Sequence, residues 1–116
     1  MISFDFDETL AELRYEMYGY KLRPKHKFID LLKEYHALGL KCIILTARDA
    51  TESDLKEIKD FLEYHDVHHC VSEVVFTWNQ DKGPIALELG VQLHYDDLPE
   101  QLESVRSFGI KAISSI

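Results

Sequence analysis

The sequence predicts an α/β fold in which one five-stranded parallel sheet lies between two layers of helices. Short apolar segments typical of buried strands alternate along the chain with segments that have apolar residues at helical spacing. Strands that alternate with helices form parallel sheets, because each helix returns the chain to the starting edge of the sheet. The length of 116 residues suits one hydrophobic core, which predicts a single domain over residues 1–116.

The N-terminal segment predicts the first strand. Ile2, Phe4 and Phe6 alternate with polar residues in a short, bounded run. Two carboxylates, Asp5 and Asp7, stand where the run stops. If the strand ends near Asp5, the following turn carries Asp7 around to another side of one bound group.

The first helix and the second strand follow. Residues 25–38 have apolar residues at helical spacing, with Pro24 near the start and Gly39 just past the end. Residues 41–46 are a nearly continuous apolar run, as expected of a parallel strand covered on both faces. The polar Thr46 is therefore expected at its carboxyl end.

The remaining elements complete the alternation. Thr51 with Asp54 three residues later resembles a capping box and starts a second helix that ends around residues 64–66. Further strands are expected at residues 74–76, 91–95 and 110–114, with helices between them that start at Gly83-Pro84 and Pro99 and stop at Gly90 and Gly109. Right-handed crossovers leave few arrangements, and the expected fold is a three-layer Rossmann-like sandwich with strand order 5-4-1-2-3.

Composition and charge narrow the class of protein. The net charge of -8 disfavours nonspecific adhesion to nucleic acid, although an acidic site can approach phosphates through a divalent cation. No apolar run reaches the length of a membrane span, and Met1 adjoins the first strand, so we expect no membrane partner and a cytoplasmic location. Cys42 and Cys70 fit neither a disulfide framework nor a zinc site, and reduced thiols are expected.

Polar side chains gather at one edge of the expected sheet. The residues placed at or just after the carboxyl ends of strands, or just before a helix, are Asp5, Asp7, Thr46, Lys82, Asp96 and Asp97. Parallel α/β sheets bind ligands outside the carboxyl ends of their strands, where the strand order reverses. These side chains are therefore expected to share one crevice.

The residue types in this crevice suit phosphoryl transfer. Magnesium takes oxygen ligands, which Asp5, Asp7 and the pair Asp96-Asp97 can supply. Lys82 would compensate close carboxylates and hold Asp5 ionised. Two carboxylates in different environments can serve as nucleophile and general acid, and a threonine hydroxyl such as that of Thr46 can contact a phosphate oxygen.

In this order, Asp5-Phe6-Asp7-Glu8-Thr9, Thr46, Lys82 and Asp96-Asp97 resemble the four motifs of the haloacid dehalogenase superfamily of phosphatases with an aspartate nucleophile. The resemblance spans essentially the whole chain. It implies a magnesium-dependent phosphomonoester hydrolase that forms an aspartyl phosphate on Asp5. Asp7 would act as general acid and base and lend its main-chain carbonyl to the metal.

The same resemblance implies the remaining roles. Thr46 and Lys82 would be catalytic phosphate contacts, and a carboxylate of the fourth motif would bind the metal, with Asp97 slightly favoured over Asp96. Two positions depart from the pattern: Glu8 replaces a frequent glycine, and Tyr95 stands where other members place a glycine before the acid. Neither departure removes a required charge.

The motif intervals leave no room for a cap domain. A capless member has an open site, typical of enzymes that act on polynucleotide ends, phosphoproteins or other bulky phosphorylated substrates, or of oligomers in which a neighbour covers the mouth. Small-molecule substrates stay open as well. Residues 10–23 are the only local lid candidate, a hairpin or loop expected to lean over the site as a flap. Its tyrosines either stack on a substrate ring or cover the edge of the core.

Several residues keep alternative interpretations. Arg48 is either a substrate contact or a surface residue paired with Asp49 or Glu52. The metal-like group of His65, His68, His69 and Cys70 is expected in a solvated turn at the opposite end of the sheet.

Two other functions are weighed against the phosphatase. A receiver-like phospho-accepting signalling domain uses similar residues, but there the acid pair follows the first strand and the phosphoacceptor the third. A catalytically silent metal-binding module is the remaining alternative.

Overall fold

The computed structural model describes all 116 residues. Its elements are β1 (Ile2–Phe4), β2 (Ala11–Glu16), β3 (Gly19–Pro24), α1 (His26–Ala37), β4 (Cys42–Thr46), α2 (Glu52–Tyr64), a 3₁₀ helix (His68–Cys70), β5 (Glu73–Phe76), α3 (Lys82–Leu89), β6 (Leu93–Asp96), α4 (Pro99–Ser107) and β7 (Lys111–Ser114). The alternation of strands and helices expected from the sequence is confirmed.

The main sheet has the order β5-β4-β1-β6-β7, and all four pairings are parallel. Counting only these five strands in chain order and reading from β7, the order is the expected 5-4-1-2-3. The strand order reverses at β1, which lies between β4 and β6. The residues that follow β1, β4 and β6 therefore meet at one edge of the sheet.

Helices cover both faces of the sheet. On one face, Phe28 and Leu32 of α1 and Ile58 of α2 pack with Phe4 and Ile44 in one buried cluster. On the other face, residues of α3 and α4 pack with neighbouring residues of β4 in a second cluster that includes Ile43, Leu45, Ala86, Leu102 and Val105. Because successive strand residues point to opposite faces, the apolar run of β4 supplies both clusters.

Element boundaries follow the expected positions with small corrections. The cap of α2 is confirmed, since the Asp54 amide donates to Thr51 Oγ1 at 3.0 Å. Lys82 is the first residue of α3 and does not precede the helix. Val91 lies outside β6 because its amide donates to Ala86 O at 2.9 Å and closes the end of α3 at the left-handed Gly90.

The sequence allows either a hairpin or a loop over residues 10–23, and the structure shows a hairpin. Strands β2 and β3 form a separate antiparallel sheet joined by a two-residue turn. The hairpin tip is exposed, with Tyr15, Met17 and Tyr18 facing solvent. Its base is tied to the domain by Lys25, whose ammonium donates to the carbonyls of Glu8 and Ser115.

None of the four α-helices is long and apolar enough to cross a membrane.

Candidate active site

Three carboxylates meet at the carboxyl edge of the sheet. Asp5 directly follows β1, Asp96 ends β6 and Asp97 follows it. Their oxygens lie within 4.8 Å of one another, and the side chains of Asp5 and Asp96 are buried. These three of the residues expected at the strand ends therefore lie close together.

Lys82 supplies the positive charge of this cluster. Its ammonium lies 3.0 Å from Asp5 Oδ1 and 2.7 Å from Asp96 Oδ2, and only 1% of its side chain is exposed. Burial acts to lower the pKa of Lys82, but the charges of Asp5 and Asp96 outweigh it and raise the pKa. The start of α3 is held by α4, because the Lys82 amide donates to Gln101 Oε1 at 2.9 Å.

Asp96 is fully engaged by its neighbours. Its Oδ2 contacts His94 Nε2 at 2.8 Å as well as Lys82, and its Oδ1 accepts from the Leu98 amide at 3.1 Å. Burial acts to raise the pKa of Asp96, but the hydrogen bond from His94 and the charge of Lys82 outweigh it and lower the pKa. Burial also lowers the pKa of His94, which favours its neutral ring.

Asp5 and Asp97 are the carboxylates with room for another partner. Burial raises the pKa of Asp5 well above its usual range, although Lys82 acts against it, and burial also raises the pKa of Asp97. Besides Lys82, Asp5 receives a long contact of 3.5 Å from Thr9 Oγ1. A bound cation would oppose this effect of burial, and with all three carboxylates ionised the single ammonium would leave two excess negative charges. An all-oxygen donor set with this charge fits a magnesium ion.

Asp7 lies outside the carboxylate cluster. Its two carboxylate oxygens accept from Arg48 Nε at 2.8 Å and from Arg48 Nη2 at 2.7 Å. The backbone at the next residue, Glu8, is left-handed, with φ at 63°. The turn after β1 thus carries the Asp7 carboxylate away from the group formed by Asp5, Asp96 and Asp97.

Arg48 does not pair with Asp49 or Glu52, and that expectation was wrong. Besides Asp7, its guanidinium contacts Asp54 at 3.1 Å and Glu57 at 2.8 Å. Residues three apart share one face of a helix, so α2 presents both carboxylates to Arg48. The side chain is 11% exposed and is not a solvated surface arginine.

Thr46 ends β4 at the same edge of the sheet and is fully buried. Its hydroxyl accepts from the Arg48 amide at 3.3 Å. Beside it, the Thr77 amide donates to Thr46 O at 2.8 Å, and Thr77 Oγ1 is a buried hydroxyl without a hydrogen-bond partner. Thr77 was not singled out from the sequence, although it follows an apolar strand just as Thr46 ends one.

His94 and Ser3 were also missed. Ser3 Oγ lies 2.6 Å from His94 Nδ1, and the two residues stand opposite each other where β1 pairs with β6. The available signal was a polar residue between two apolar ones in each strand, Ser3 in β1 and His94 in β6. Inside a core such residues need a partner, and the pairing of β1 with β6 lets each serve the other.

The histidine-rich turn lies at the amino end of β5, opposite the carboxylates, as expected. His36, His69 and Cys70 bring potential ligand atoms within 4.8 Å of one another, as do Asp66, His68 and His69. The histidines are exposed, whereas Cys70 is buried. Both cysteines are free thiols.

The largest groove does not coincide with the carboxylate cluster. It encloses 670 Å³ between β3 and α2 and is lined by residues such as Leu22, Glu57 and Phe61. The carboxylate cluster and Lys82 line none of the four grooves of the structure and lie instead at the carboxyl edge of the sheet.

The fold is shared with several solved phosphatases and with a chain of an RNA repair complex, so the fold implied by the resemblance is confirmed. A chain of the Pnkp1/Rnl/Hen1 RNA repair complex superposes with a TM-score of 0.76 at 17% identity, over 97% of this chain and 41% of that chain. The 3-deoxy-D-manno-octulosonate 8-phosphate phosphatase of Moraxella catarrhalis, determined with magnesium and phosphate, gives a TM-score of 0.59 at 18% identity.

The latter superposition covers 97% of this chain and 65% of that phosphatase. A hydrolase from Streptococcus pneumoniae TIGR4 gives a TM-score of 0.55 at 16% identity, over 81% of this chain and 51% of that chain. This chain spans about two fifths of the length of the matched chain from the RNA repair complex. No protein-family model and no curated protein matches the sequence.

Proposed function

We propose that this protein is a magnesium-dependent phosphomonoester hydrolase that works through an aspartyl phosphate on Asp5. The observation that carries the proposal is the cluster of Asp5, Asp96 and Asp97 around the buried ammonium of Lys82, in a fold shared with phosphatases. A bound magnesium ion would be held by Asp5, Asp97 and the main-chain carbonyl of Asp7, and would neutralise charge on the phosphoryl oxygens.

The residues of the chain divide the reaction into two steps. First, a carboxylate oxygen of Asp5 attacks phosphorus, the bond from phosphorus to the leaving oxygen breaks, and Asp7 gives that oxygen a proton. Then Asp7 takes a proton from water, the water oxygen attacks phosphorus, and the carboxylate of Asp5 is released with inorganic phosphate. Thr46 and Lys82 would contact the phosphoryl oxygens throughout, and His94 holds Asp96.

The substrate is proposed only as a class. The chain would act without a cap, and the hairpin of β2 and β3 would serve as a flap. An open site suits a phosphorylated polynucleotide end, a phosphoprotein or another bulky phosphomonoester. The likeness to a chain of an RNA repair complex supports testing 3′- and 5′-phosphorylated oligonucleotides first, beside nucleotides, sugar phosphates and phosphopeptides.

Hydrolysis of p-nitrophenyl phosphate tests the proposal. We expect turnover that requires magnesium, is abolished by EDTA and is abolished in Asp5→Asn. The matched control is Asp30→Asn, which removes an exposed carboxylate of α1 and should retain full activity. Undiminished turnover in Asp5→Asn would refute the assignment.

Asp7→Asn separates the phosphatase from a receiver-like signalling domain. The phosphatase requires Asp7 in both steps, so the variant should turn over about 100-fold more slowly or worse and accumulate phosphoenzyme. A receiver-like domain would instead accumulate a stable acyl phosphate already as wild type. The measurement is steady-state turnover together with intact-protein mass after reaction with substrate.

A further inference from the structure

The orientation of Asp7 is set by Arg48. Two parallel hydrogen bonds, of 2.8 and 2.7 Å, join the guanidinium to both oxygens of the Asp7 carboxylate. Such a paired contact fixes direction as well as distance, because the guanidinium is planar. The Arg48 Cζ atom also lies 5.3 Å from the centre of the Phe6 ring, which supports the group from one side.

Arg48 is held in turn by α2. Its remaining nitrogen, Nη1, contacts Glu57 Oε1 at 2.8 Å and Asp54 Oδ1 at 3.1 Å. All three guanidinium nitrogens therefore have carboxylate partners. The neighbouring carboxylates raise the pKa of Arg48, Asp7 most strongly, although burial acts against them. The guanidinium thus stays charged.

The contacts continue from Glu57 to the hairpin. The Tyr20 hydroxyl of β3 donates to Glu57 Oε1 at 2.9 Å and lies 3.1 Å from Oε2. This hydrogen bond is the main reason that the pKa of Tyr20 is raised. A chain of contacts thus joins residues from four separate segments, in the order Tyr20, Glu57, Arg48 and Asp7.

The charges around Arg48 explain how Tyr20, at the far end of this series of contacts, can affect the position of Asp7. One guanidinium faces the three carboxylates of Asp7, Asp54 and Glu57, and its Nη1 is shared between Asp54 and Glu57. The Tyr20 hydroxyl fixes Glu57, which leaves the Nε and Nη2 edge of Arg48 for Asp7. Without that hydroxyl, Glu57 can turn and the guanidinium can shift among its partners.

We propose that Tyr20 and Glu57 are positioning residues, which hold Arg48 and through it place the Asp7 carboxylate for proton transfer. The seating of the hairpin on α2 thereby governs the acid step of the reaction. The proposal rests on the proposed function, because it concerns the proton that Asp7 gives to the leaving oxygen as the bond to phosphorus breaks. While Asp7 carries that proton, one of its oxygens gives up its hydrogen bond from Arg48, and the other keeps its own and holds the direction of the acid.

The test compares two substrates of similar size whose leaving groups differ in basicity. Phenol has a pKa near that of tyrosine, about 10, and needs the proton, whereas the more acidic p-nitrophenol leaves with little help. The quantity measured is kcat/KM, which reports the first chemical step, for phenyl phosphate and p-nitrophenyl phosphate. The variants are Tyr20→Phe, Glu57→Gln and their combination.

Tyr20→Phe and Glu57→Gln should each lower kcat/KM for phenyl phosphate about tenfold, within the roughly 100-fold that a displacement of about 1 Å can cause. The loss for p-nitrophenyl phosphate should be clearly smaller. The double variant should be no worse than the poorer single one, because both changes break the same chain of contacts. Tyr15→Phe is the matched control: it removes an exposed hydroxyl from the cross-strand partner of Tyr20 and should change neither value.

The possible outcomes test the proposed function and the positioning role of Tyr20 and Glu57 separately. An inactive wild type, or activity that survives Asp5→Asn, overturns the proposed function and this inference with it. Activity that depends on Asp5, with Tyr20→Phe behaving like Tyr15→Phe or losing equal activity on both substrates, overturns this inference alone. Circular dichroism and thermal unfolding verify the fold of each variant; should Glu57→Gln unfold, Tyr20→Phe decides by itself, since it removes one partly exposed hydroxyl.

Discussion

Lys82 buries an ammonium group between two carboxylates, and 1% of its side chain is exposed. A buried ion pair contributes little relative to apolar residues of similar shape, but removing one partner leaves an uncompensated buried charge. Here the loss of Lys82 would leave Asp5 and Asp96 facing each other. The stability of the apo protein should therefore depend strongly on this one side chain.

Lys82→Met tests this dependence in EDTA. The variant should lose about 3–5 kcal/mol of unfolding free energy, because two buried carboxylates lose their counter-charge. Urea unfolding followed by circular dichroism measures it. Lys56→Met is the control, since Lys56 pairs with Asp60 at 2.6 Å on the solvent side of α2 and its loss should leave the midpoint unchanged. Equal midpoints in the two variants would contradict the expectation.

Glu8 shows how a residue can depart from a family pattern without loss of the motif. Its φ of 63° lies in the left-handed region, where glycine is favoured and other residues are strained. The Glu8 side chain offsets this strain by accepting the Leu13 amide at 2.9 Å, and its carbonyl accepts from Lys25. Glu8 thus adopts a backbone conformation that favours glycine and also ties the turn to the hairpin.

At the scale of the elements, the N-terminal half of α3 packs very close to the C-terminal half of α4. The Gly83 amide donates to Ser104 Oγ at 3.0 Å, and a Cβ at Gly83 would lie 2.4 Å from Ser104 O. Only glycine fits this contact. Since Lys82 precedes Gly83, the packing of the two helices also positions the ammonium of the site.

Gly83→Ala should destabilise the protein by about 1–3 kcal/mol, because the added methyl group overpacks a contact with backbone. It should also lower phosphatase activity by displacing Lys82. Thermal unfolding and kcat/KM measure the two effects. Glu88→Ala, an exposed change on the same helix, serves as control. If the Gly83→Ala variant is as stable and active as this control, α4 can move aside to make room for the added methyl group, which would contradict the prediction.

At the scale of the whole molecule, the net charge of -8 and the acidic crevice both favour a bound cation. A ligand that binds only the folded state stabilises it by mass action. The excess negative charge of the carboxylate cluster is the physical source of this linkage. Magnesium should therefore act on folding as well as on catalysis.

Magnesium at about 100 times its dissociation constant should add about 2.7 kcal/mol to the unfolding free energy. EDTA should reverse the effect. Asp97→Asn should reduce it, because Asp97 is the carboxylate in the cluster that is not engaged by Lys82 or His94, whereas Asp30→Asn should respond as wild type. Thermal unfolding with and without magnesium measures the stabilisation. If magnesium stabilises the wild type and both variants equally, Asp97 does not bind the metal.

Much of the architecture was accessible from local pattern. Strand and helix positions follow from apolar periodicity, and the gathering of Asp5, Lys82 and Asp96 follows from their places at the carboxyl edge of a parallel sheet. These properties depend on residues that are neighbours in the sequence and on the rule that crossover helices bring the carboxyl ends of parallel strands to one edge of the sheet. They can be predicted without knowing which side chains are in contact.

The contacts of Arg48 and His94 could not be obtained in that way. Arg48 meets a carboxylate 41 residues away and a helix face turned toward it, and His94 meets Ser3 through the register of two paired strands. Helix rotation and strand register are set by the packing of the whole core, not by the local sequence. Strand ends and residue types therefore predicted a cluster of carboxylates and one lysine from the order of residues alone, whereas the partners that orient Asp7 and Asp96 were decided by the packed core, which brings distant segments into contact.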